Sequence, residues 1–457
     1  MIVEEGSRGA PPGGHVSVDD PSRASRKSLA RFLWVLFTFF VIYGTTIPFR
    51  FVADGNFADR VASRLDWSLI GDSRGYGHGL PDIVQNILLF IPFGFLGYYS
   101  LVNQRSRLKK TFVVLMGAAL SGMVEFLQLF TTVRFTSLSD VVFNTLGTGL
   151  GVLAGMALKQ SVMGFKSLPW ARRFLDAESA WPALVFLGLA LAGCWQPFDF
   201  ALDVGNVWGK VKPLLEHPVD FSWPDDDLTN FIRFLLASLF ACRLAKEAGL
   251  RRPAATGVIL MAWAGLGLEA TQVIITSRTP QFQDALVAVL GALGGGVAFR
   301  FPGFREHPGV WSATGALAVM ASAVMRGLHP YRFSGHGPSG FNWIPFLPQF
   351  DQTSMNSLGN FLESGLAYFP LGFMLAYLYP GSRHARWAAL LLAAGTALAV
   401  EIVQGWVAGR YSDVTDVVGA LLGACLGILT VTRGWGAFRH YMEEDPRMAF
   451  RTETSPA

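Results

Sequence analysis

The ionisable residues that could do chemistry in this chain recur in one fixed pattern. A Glu is followed by a Gln, an Arg, an Asp and two Gly residues with the spacing E-x2-Q-x5-R-x5-D-x6-G-x3-G. The pattern occurs three times without a gap, at Glu125, Gln128, Arg134, Asp140, Gly147 and Gly151, at Glu269, Gln272, Arg278, Asp284, Gly291 and Gly295, and at Glu401, Gln404, Arg410, Asp416, Gly423 and Gly427. Because only 15% of the residues are charged, three such matches indicate an internal repeat.

These residue types are suited to binding an anion. An Arg held by carboxylates presents planar donors to a phosphate or a carboxylate, and a neighbouring Glu offsets part of the cost of placing the charge near lipid. We therefore expect Arg134 and Arg410 to contact a ligand, with Glu125 and Glu401 positioning them. The full set of candidate ligand-binding residues is Asn86, Glu125, Gln128, Arg134, Asp140, Asn144, Glu269, Arg278, Asp284, Glu401, Gln404, Arg410 and Asp416.

Structural roles could explain the same residues. Glu and Arg could form a clasp that closes a helical hairpin, and Asp140 could cap a helix, since Ser137-x-x-Asp140 resembles a capping box. The G-x3-G pairs are typical of closely packed membrane helices. The sequence leaves the choice between clasp and ligand site open.

The segments that must position these residues are apolar and long. The chain has 457 residues, of which 51% are hydrophobic, and this composition excludes a disordered protein, a coiled coil and an ordinary cytosolic enzyme. About 20 apolar residues span a bilayer as a helix. Twelve runs approach that length, near 29–47, 83–101, 111–130, 138–158, 181–197, 228–245, 254–275, 283–300, 310–327, 358–379, 386–406 and 414–432.

The twelve runs form three sets of four, and each set contains one copy of the pattern. We predict an all-α transmembrane helical bundle with a first set at 29–160, a middle set at 181–300 and a third set at 310–432, between a disordered tail at 1–28 and a tail at 433–457. Four spans per set imply parallel repeats. Lys and Arg concentrate in alternate connections, which places both termini in the cytoplasm and the loops 48–82, 198–227 and 328–357 outside.

Other chemistries lack their sequence signatures. The three Cys form no CxxC pair, the His residues form no HxxxH or HExxH motif, and no nucleophile motif is present. We therefore predict no metal, no cofactor and no catalytic residue. The basic residues do not form the stripe interleaved with aromatics that nucleic-acid binding needs, so no nucleic-acid partner is expected.

Two segments resemble the VanZ-like family of bacterial membrane proteins, which is named for an accessory protein of teicoplanin resistance. One is the stretch from Asn86 through Pro92 to Gly94, and the other is the first copy of the pattern with Asn144. The third set is similar but has Ala420 in place of that Asn. The middle set departs further, with Ala288 at the same position and Leu236 in place of Pro92.

The resemblance implies a four-helix membrane unit in the bacterial inner membrane and a link to the cell envelope and to glycopeptide tolerance. It implies no reaction. From the middle set's departures we interpret it as a diverged copy, for which a structural role is one reading.

Four functions remain open at this stage. The favoured one is binding of the polar head of an envelope lipid or of a lipid-linked glycan precursor at the outer face. The alternatives are a multi-pass transporter or flippase, an enzyme acting on a lipid-linked phosphate, and a structural assembly factor. Convergence of Arg134, Arg278 and Arg410 would favour a shared site. Wide separation would favour three independent structural clasps, each closing one helical hairpin.

Overall fold

The protein forms an all-α bundle. The computed structural model describes residues 21–46, 61, 65–66, 80–101, 107–131, 136–196, 209–212, 227–275, 278–301, 307–333, 340–345, 354–410, 412–434 and 436. Within them the helices are α1 Pro21–Thr46, α2 Leu80–Leu101, α3 Arg107–Gln128, α4 Leu138–Lys166, α5 Pro169–Leu175, α6 Ala180–Trp195, α7 Asp227–Glu247, α8 Pro253–Thr271, α9 Phe282–Arg300, α10 Pro308–Leu328, α11 Ser354–Leu378, α12 Arg383–Gln404 and α13 Thr415–Leu429. A 3-10 turn, Gln272–Ile274, follows α8, and a π-helical turn, Thr430–Gly434, follows α13.

Every predicted apolar run coincides with a helix. In the described part of the chain, nine helices are long and apolar enough to cross a membrane: α3, α4 and α7 to α13. The helix α6 passes the same test together with α5, although the two are bent by 85°, and shorter apolar helices lie within α1 and α2. The chain is therefore a multi-pass membrane protein. The spans in α7 and α11 are 67% buried, so these two helices lie at the centre of the bundle.

The helix α1 begins earlier than expected. The sequence predicts a disordered tail up to residue 28, whereas α1 starts at Pro21. The polar residues before the apolar run include Ala, Arg and Lys, which are good helix formers, and they extend the helix beyond the apolar run. Residues 1–20, most of the three long loops at 48–82, 198–227 and 328–357, and residues 437–457 lie outside the described residues.

In each set the second and fourth helices pack most closely: α2 with α4, α7 with α9 and α11 with α13. Gly147 and Gly151 on α4 lie against the main-chain carbonyls of Ile87 and Ile91 on α2, so closely that a Cβ at either glycine would overlap those atoms. The corresponding glycines of the other two sets lie in the same way against main-chain atoms of α7 and α11: Gly291, Gly295, Gly423 and Gly427. The packing role expected of the G-x3-G pairs is confirmed.

The three sets meet around α11. Phe186 of α6 and Phe240 of α7 stack with ring centroids 5.6 Å apart, and both rings contact Phe373 of α11 edge-on. On another side of α11, Phe361 stacks on Phe40 of α1 at 5.9 Å. Aromatic packing thus joins the first and middle sets to the third through one helix.

The two ends of the bundle carry different charges. At the end where α4 finishes and α6 begins, called the basic end below, the exposed basic residues include Arg107, Lys109, Arg172, Arg173, Lys246, Arg251, Arg252, Arg300, Arg383 and Arg433. The opposite end, where α3 finishes and α4 begins, contains all three copies of the repeated pattern and is called the motif end.

Candidate functional site

The three glutamates of the pattern make the same hydrogen bond. The carboxylate of Glu125 accepts from the backbone N–H of Ser137 at 2.9 Å, and that of Glu269 accepts from the N–H of Gln281 at 2.9 Å. Glu401 accepts from the N–H twelve residues further on, at 2.8 Å. All three glutamates are buried. Each carboxylate therefore closes the turn between the third and fourth helices of its set, which is the geometry of a clasp.

In the first and third sets, the glutamine of the pattern joins the third helix to the first helix by a hydrogen bond. Gln128 donates to the carbonyl of Thr45 at 3.4 Å, and Gln404 donates to the carbonyl of Gly327 at 2.6 Å. In the middle set Gln272 instead donates to Glu269 at 2.9 Å. The first helix is fastened differently there.

The arginines of the pattern fasten the ends of the first helices. Arg278 donates through Nε to the carbonyl of Gln196 at 2.9 Å, just after α6. Arg410 donates to the carbonyl of His329 at 2.9 Å and to that of Arg326 at 3.3 Å, around the end of α10. Carbonyls at a helix C-terminus lack intrahelical partners and attract positive charge. Arg134 lies outside the described residues.

The expected pairing of Glu with Arg is not seen in the two sets where both residues are described. Neither Glu269 with Arg278 nor Glu401 with Arg410 forms an ion pair in the described part of the chain. The carboxylate instead accepts a hydrogen bond from a backbone N–H of the turn, and the guanidinium donates to a carbonyl at the end of the first helix. Glu401 and Arg410 therefore bind two different main-chain groups, the N–H of Asp413 and the carbonyl of His329.

The aspartates connect the fourth helix to the second. Asp140 accepts from Asn86 at 2.7 Å, and Asp416 accepts from Ser364 at 2.6 Å. The N-cap of α4 is Ser137, whose side chain accepts from the N–H of Ser139. Capping alone therefore does not account for Asp140. Asn144, one turn further along α4, donates to Ser121 of α3 at 2.9 Å.

Parts of the long loops that follow the first helices pair with the turns that the glutamates close. The short strand β1, Leu65–Asp66, runs parallel to β2, Thr136–Ser137. In the third set Asn342 donates its N–H to Ser412 at 2.9 Å and accepts from Val414 at 3.0 Å. The loop after the first helix thus adds to the turn in both sets.

A narrow pocket at the motif end brings together charged residues of the middle and third sets. The space between its lining residues is about 10 Å³, roughly room for one water molecule. The lining includes Arg233, Arg278, Arg326, Asp284 and Glu363. We call it the arginine pocket. The ends of α6 and α10 both reach it, so these two helices run in the same direction.

The charges in the arginine pocket interact with one another. Arg326 forms an ion pair with Glu363 at 3.2 Å, and Glu363 also lies in the electrostatic field of Arg278 and Arg233. Arg233 is only 5% exposed and donates to Asn230 at 3.1 Å. It lies so close to Gly193 of α6 that a Cβ there would overlap its guanidinium.

A polar group in the lining lacks a partner. The hydroxyl of Thr229 is buried and makes no hydrogen bond in the described part of the chain. A buried hydroxyl without a partner is unfavourable, by roughly 1–3 kcal/mol. A bound polar ligand would supply that partner.

A protein-family comparison identifies the type of membrane unit. The family model described as VanZ/LLP1 matches residues 20–159 and 316–435, together more than half of the chain. The chain belongs to the VanZ/LLP1 family. The two matched segments contain α1 to α4 and α10 to α13, so the resemblance of the first and third sets is confirmed. Neither the search of curated proteins nor the search of solved structures gives a significant match.

Only some of the candidate residues meet in this VanZ/LLP1 protein. Of the thirteen candidates, Arg278 and Asp284 line the arginine pocket, as does Gln272 of the same pattern copy. Arg410 and the four candidate carboxylates of the first and third sets, Glu125, Asp140, Glu401 and Asp416, do not line it. The candidates therefore do not form one shared cavity among the described residues.

Sequence reasoning missed Arg233, Arg326, Glu363 and Thr229. Ionisable residues inside apolar runs are rare and usually functional, and Arg233 and Glu363 could have been found by that signal. Each lies three residues after an Asn in the first two turns of the second helix of its set, Asn230 and Asn360. The first set has Leu89 at that position.

Metal-binding geometry is also lacking where the chain is described: no group of three His, Cys, Asp or Glu residues is close enough to hold an ion.

Proposed function

We propose that this VanZ/LLP1 protein binds the anionic head of an envelope lipid, or of a lipid-linked glycan precursor, in the arginine pocket. The observation that carries the proposal is the convergence of Arg233, Arg278 and Arg326 at one end of the spans. The group recognised is a phosphate or a carboxylate.

The charges of the lining favour an anion. Three guanidinium groups face two carboxylates, Asp284 and Glu363, so the lining residues carry an excess of positive charge. Arg278 uses its Nε for Gln196, and its terminal nitrogens make no hydrogen bond within the described residues. Guanidinium groups match the planar geometry of phosphate and carboxylate oxygens.

The location favours a lipid head over a free solute. The pocket lies where the apolar helices α6, α7, α10 and α11 begin or end, which is the level of the lipid headgroups when these helices span a bilayer. A lipid can therefore keep its acyl chains in the bilayer while the anionic group of its head lies at the mouth of the pocket, against the arginines.

The middle set contributes directly to this site. We interpret it as a third, diverged copy of the unit, because it keeps the pattern and the hydrogen bond from Gln281 to Glu269. It also provides Arg233, Arg278 and Asp284 to the pocket. Its divergence at Arg233 thus supplies binding chemistry, and the set is more than a structural copy.

The membrane orientation completes the proposal. With the basic end in the cytoplasm, as the distribution of Lys and Arg favours, both termini are cytoplasmic and the arginine pocket opens outside the inner membrane. Binding of envelope lipids or precursors in the pocket would then alter tolerance to glycopeptides, which act on the same compartment.

The clasp hydrogen bonds favour a second candidate function, a structural assembly factor. They account for the glutamates and for Arg410 without any ligand. They do not account for the charged lining of the arginine pocket, which is why lipid-head binding is the preferred proposal.

The test measures lipid retention by native mass spectrometry of the full-length protein released from nanodiscs. Nanodiscs containing phosphatidylglycerol and nanodiscs containing a polyprenyl phosphate distinguish the two lipid sources. We expect Arg233→Gln with Arg326→Gln to lose the bound lipid while Arg332→Gln, an exposed arginine at the same end, keeps it.

Equal retention by a folded double variant and by wild type would overturn the proposal. If the double variant fails to fold, Arg278→Lys keeps the charge and removes the planar donors. Wild-type retention in that variant, together with no competition by glycerol phosphate, would overturn the proposal as well.

A further inference from the structure

We propose a second lipid-binding surface, at the basic end, that is separate from the arginine pocket. It consists of α5 and the end of α4, with Phe165, Leu168, Trp170, Arg172 and Arg173, and we call it the α5 surface. Its ligands are the headgroups of anionic phospholipids in the leaflet at that end.

The orientation of α5 places it along the membrane surface. The axis of α5 is bent by 85° from that of α6, the helix that follows it. The apolar helix α6 packs along α7, which is one of the spans, so α6 enters the bilayer. We infer that α5, nearly perpendicular to α6, lies in the plane of the membrane.

The bend is held by hydrogen bonds and by packing. Ser179, just before α6, donates its N–H and its hydroxyl to the carboxylate of Glu247 at 2.9 and 2.7 Å. Ala171 in the middle of α5 is fully buried against the bundle. The helix is therefore fixed on its inner side, and its outer side has a defined orientation.

The outer side combines apolar and basic side chains. Trp170 is 56% exposed, Phe165 42% and Leu168 40%, and the rings of Phe165 and Trp170 contact each other edge-on at 5.1 Å. Arg172 and Arg173 are exposed on the same short helix. In-plane helices that bind bilayers present this combination: aromatic and aliphatic groups enter the boundary region while basic groups reach the phosphates.

The arginines are available to such phosphates. Arg172 pairs with Asp176 at 3.4 Å, but both side chains are largely exposed, and surface pairs of this kind contribute little. Further exposed basic residues lie at the same end of the bundle, including Lys109 and Arg433. This excess of positive charge complements an anionic leaflet rather than a neutral one.

The experiment is hydrogen–deuterium exchange on the full-length protein in nanodiscs of phosphatidylcholine, compared with nanodiscs that also contain phosphatidylglycerol. We expect phosphatidylglycerol to slow exchange several-fold in the peptide that covers 165–176. In Arg172→Gln with Arg173→Gln this protection should disappear, since two arginines near an anionic surface strengthen binding by up to about 25-fold.

Two controls separate charge from folding and from a general surface effect. Arg172→Lys with Arg173→Lys keeps the charges and should keep most of the protection. Arg251→Gln with Arg252→Gln removes two exposed basic residues at the same end, outside the α5 surface, and should leave the 165–176 peptide unchanged.

Equal exchange in the two lipids would overturn the inference, and so would an equal loss of protection in the Arg251/Arg252 variant. Neither outcome bears on the arginine pocket, which lies at the opposite end of the bundle.

Discussion

Arg233 and Glu363 occupy the same position in their sets, three residues after an Asn near the start of the second helix, and both line one pocket. They lie on α7 and α11, whose spans are the most buried ones described. Opposite charges at matching positions of two central helices are brought together by the packing of the middle set on the third. The first set, with Leu89 at this position, cannot form such a pocket.

The clasp predicts a difference between two substitutions of Glu401. This residue is only 2% exposed and accepts from Asp413 at 2.8 Å. Glu401→Ala leaves the backbone N–H of Asp413 without its acceptor and should lower the free energy of unfolding by roughly 1–3 kcal/mol. Glu401→Gln keeps a carbonyl acceptor and should lose less. Thermal unfolding of the purified protein measures both, and equal losses would contradict the clasp.

The close packing of α11 and α13 predicts that Gly423 tolerates no side chain. A Cβ at Gly423 would overlap the main chain of Gly365, so Gly423→Ala should destabilise the protein by about 1–3 kcal/mol. Gly395 on α12 has nothing within 4 Å of the corresponding position and provides a matched control. Gly395→Ala should be neutral or stabilise the helix by roughly 0.5–1 kcal/mol. Similar effects of the two substitutions would argue against backbone contact at Gly423.

Arg410 is expected to act on stability rather than on ligand binding. It holds two carbonyls at the end of α10, and it lies outside the arginine pocket. Arg410→Ala should therefore lower the unfolding free energy by about 1–3 kcal/mol. Lipid retention per folded molecule should stay at the wild-type value. Loss of retention in well-folded Arg410→Ala would restore the hypothesis that the arginine of each pattern copy is itself a ligand-binding group.

The spans and the glycine contacts could be predicted from the sequence, whereas the partners of the charged residues could not. Apolar runs and G-x3-G spacing are local properties, so α3 and the close packing of α4 at Gly147 follow from them, whereas the partner Ile87 does not. The acceptor of Arg278 and the donor to Glu269 are main-chain groups, and their positions depend on how turns and helix ends fold. The arginine pocket also depends on how the middle set packs on the third. Residue spacing within one set cannot predict that packing.

The ion pair in the arginine pocket predicts opposite effects from its two partners. Arg326 and Glu363 lie 3.2 Å apart, and a bound anion competes with Glu363 for the pocket's guanidinium groups. Glu363→Gln removes the competing carboxylate and keeps its shape, so the affinity for the anionic lipid head should rise by roughly three- to tenfold. Arg326→Gln removes a ligand-binding charge and should lower the affinity by a similar factor. Titration of nanodisc-embedded protein with glycerol phosphate, read by displacement of retained phosphatidylglycerol, measures both. A role confined to structure would instead lower stability in both variants and shift the affinity in the same direction, because either substitution breaks the same ion pair.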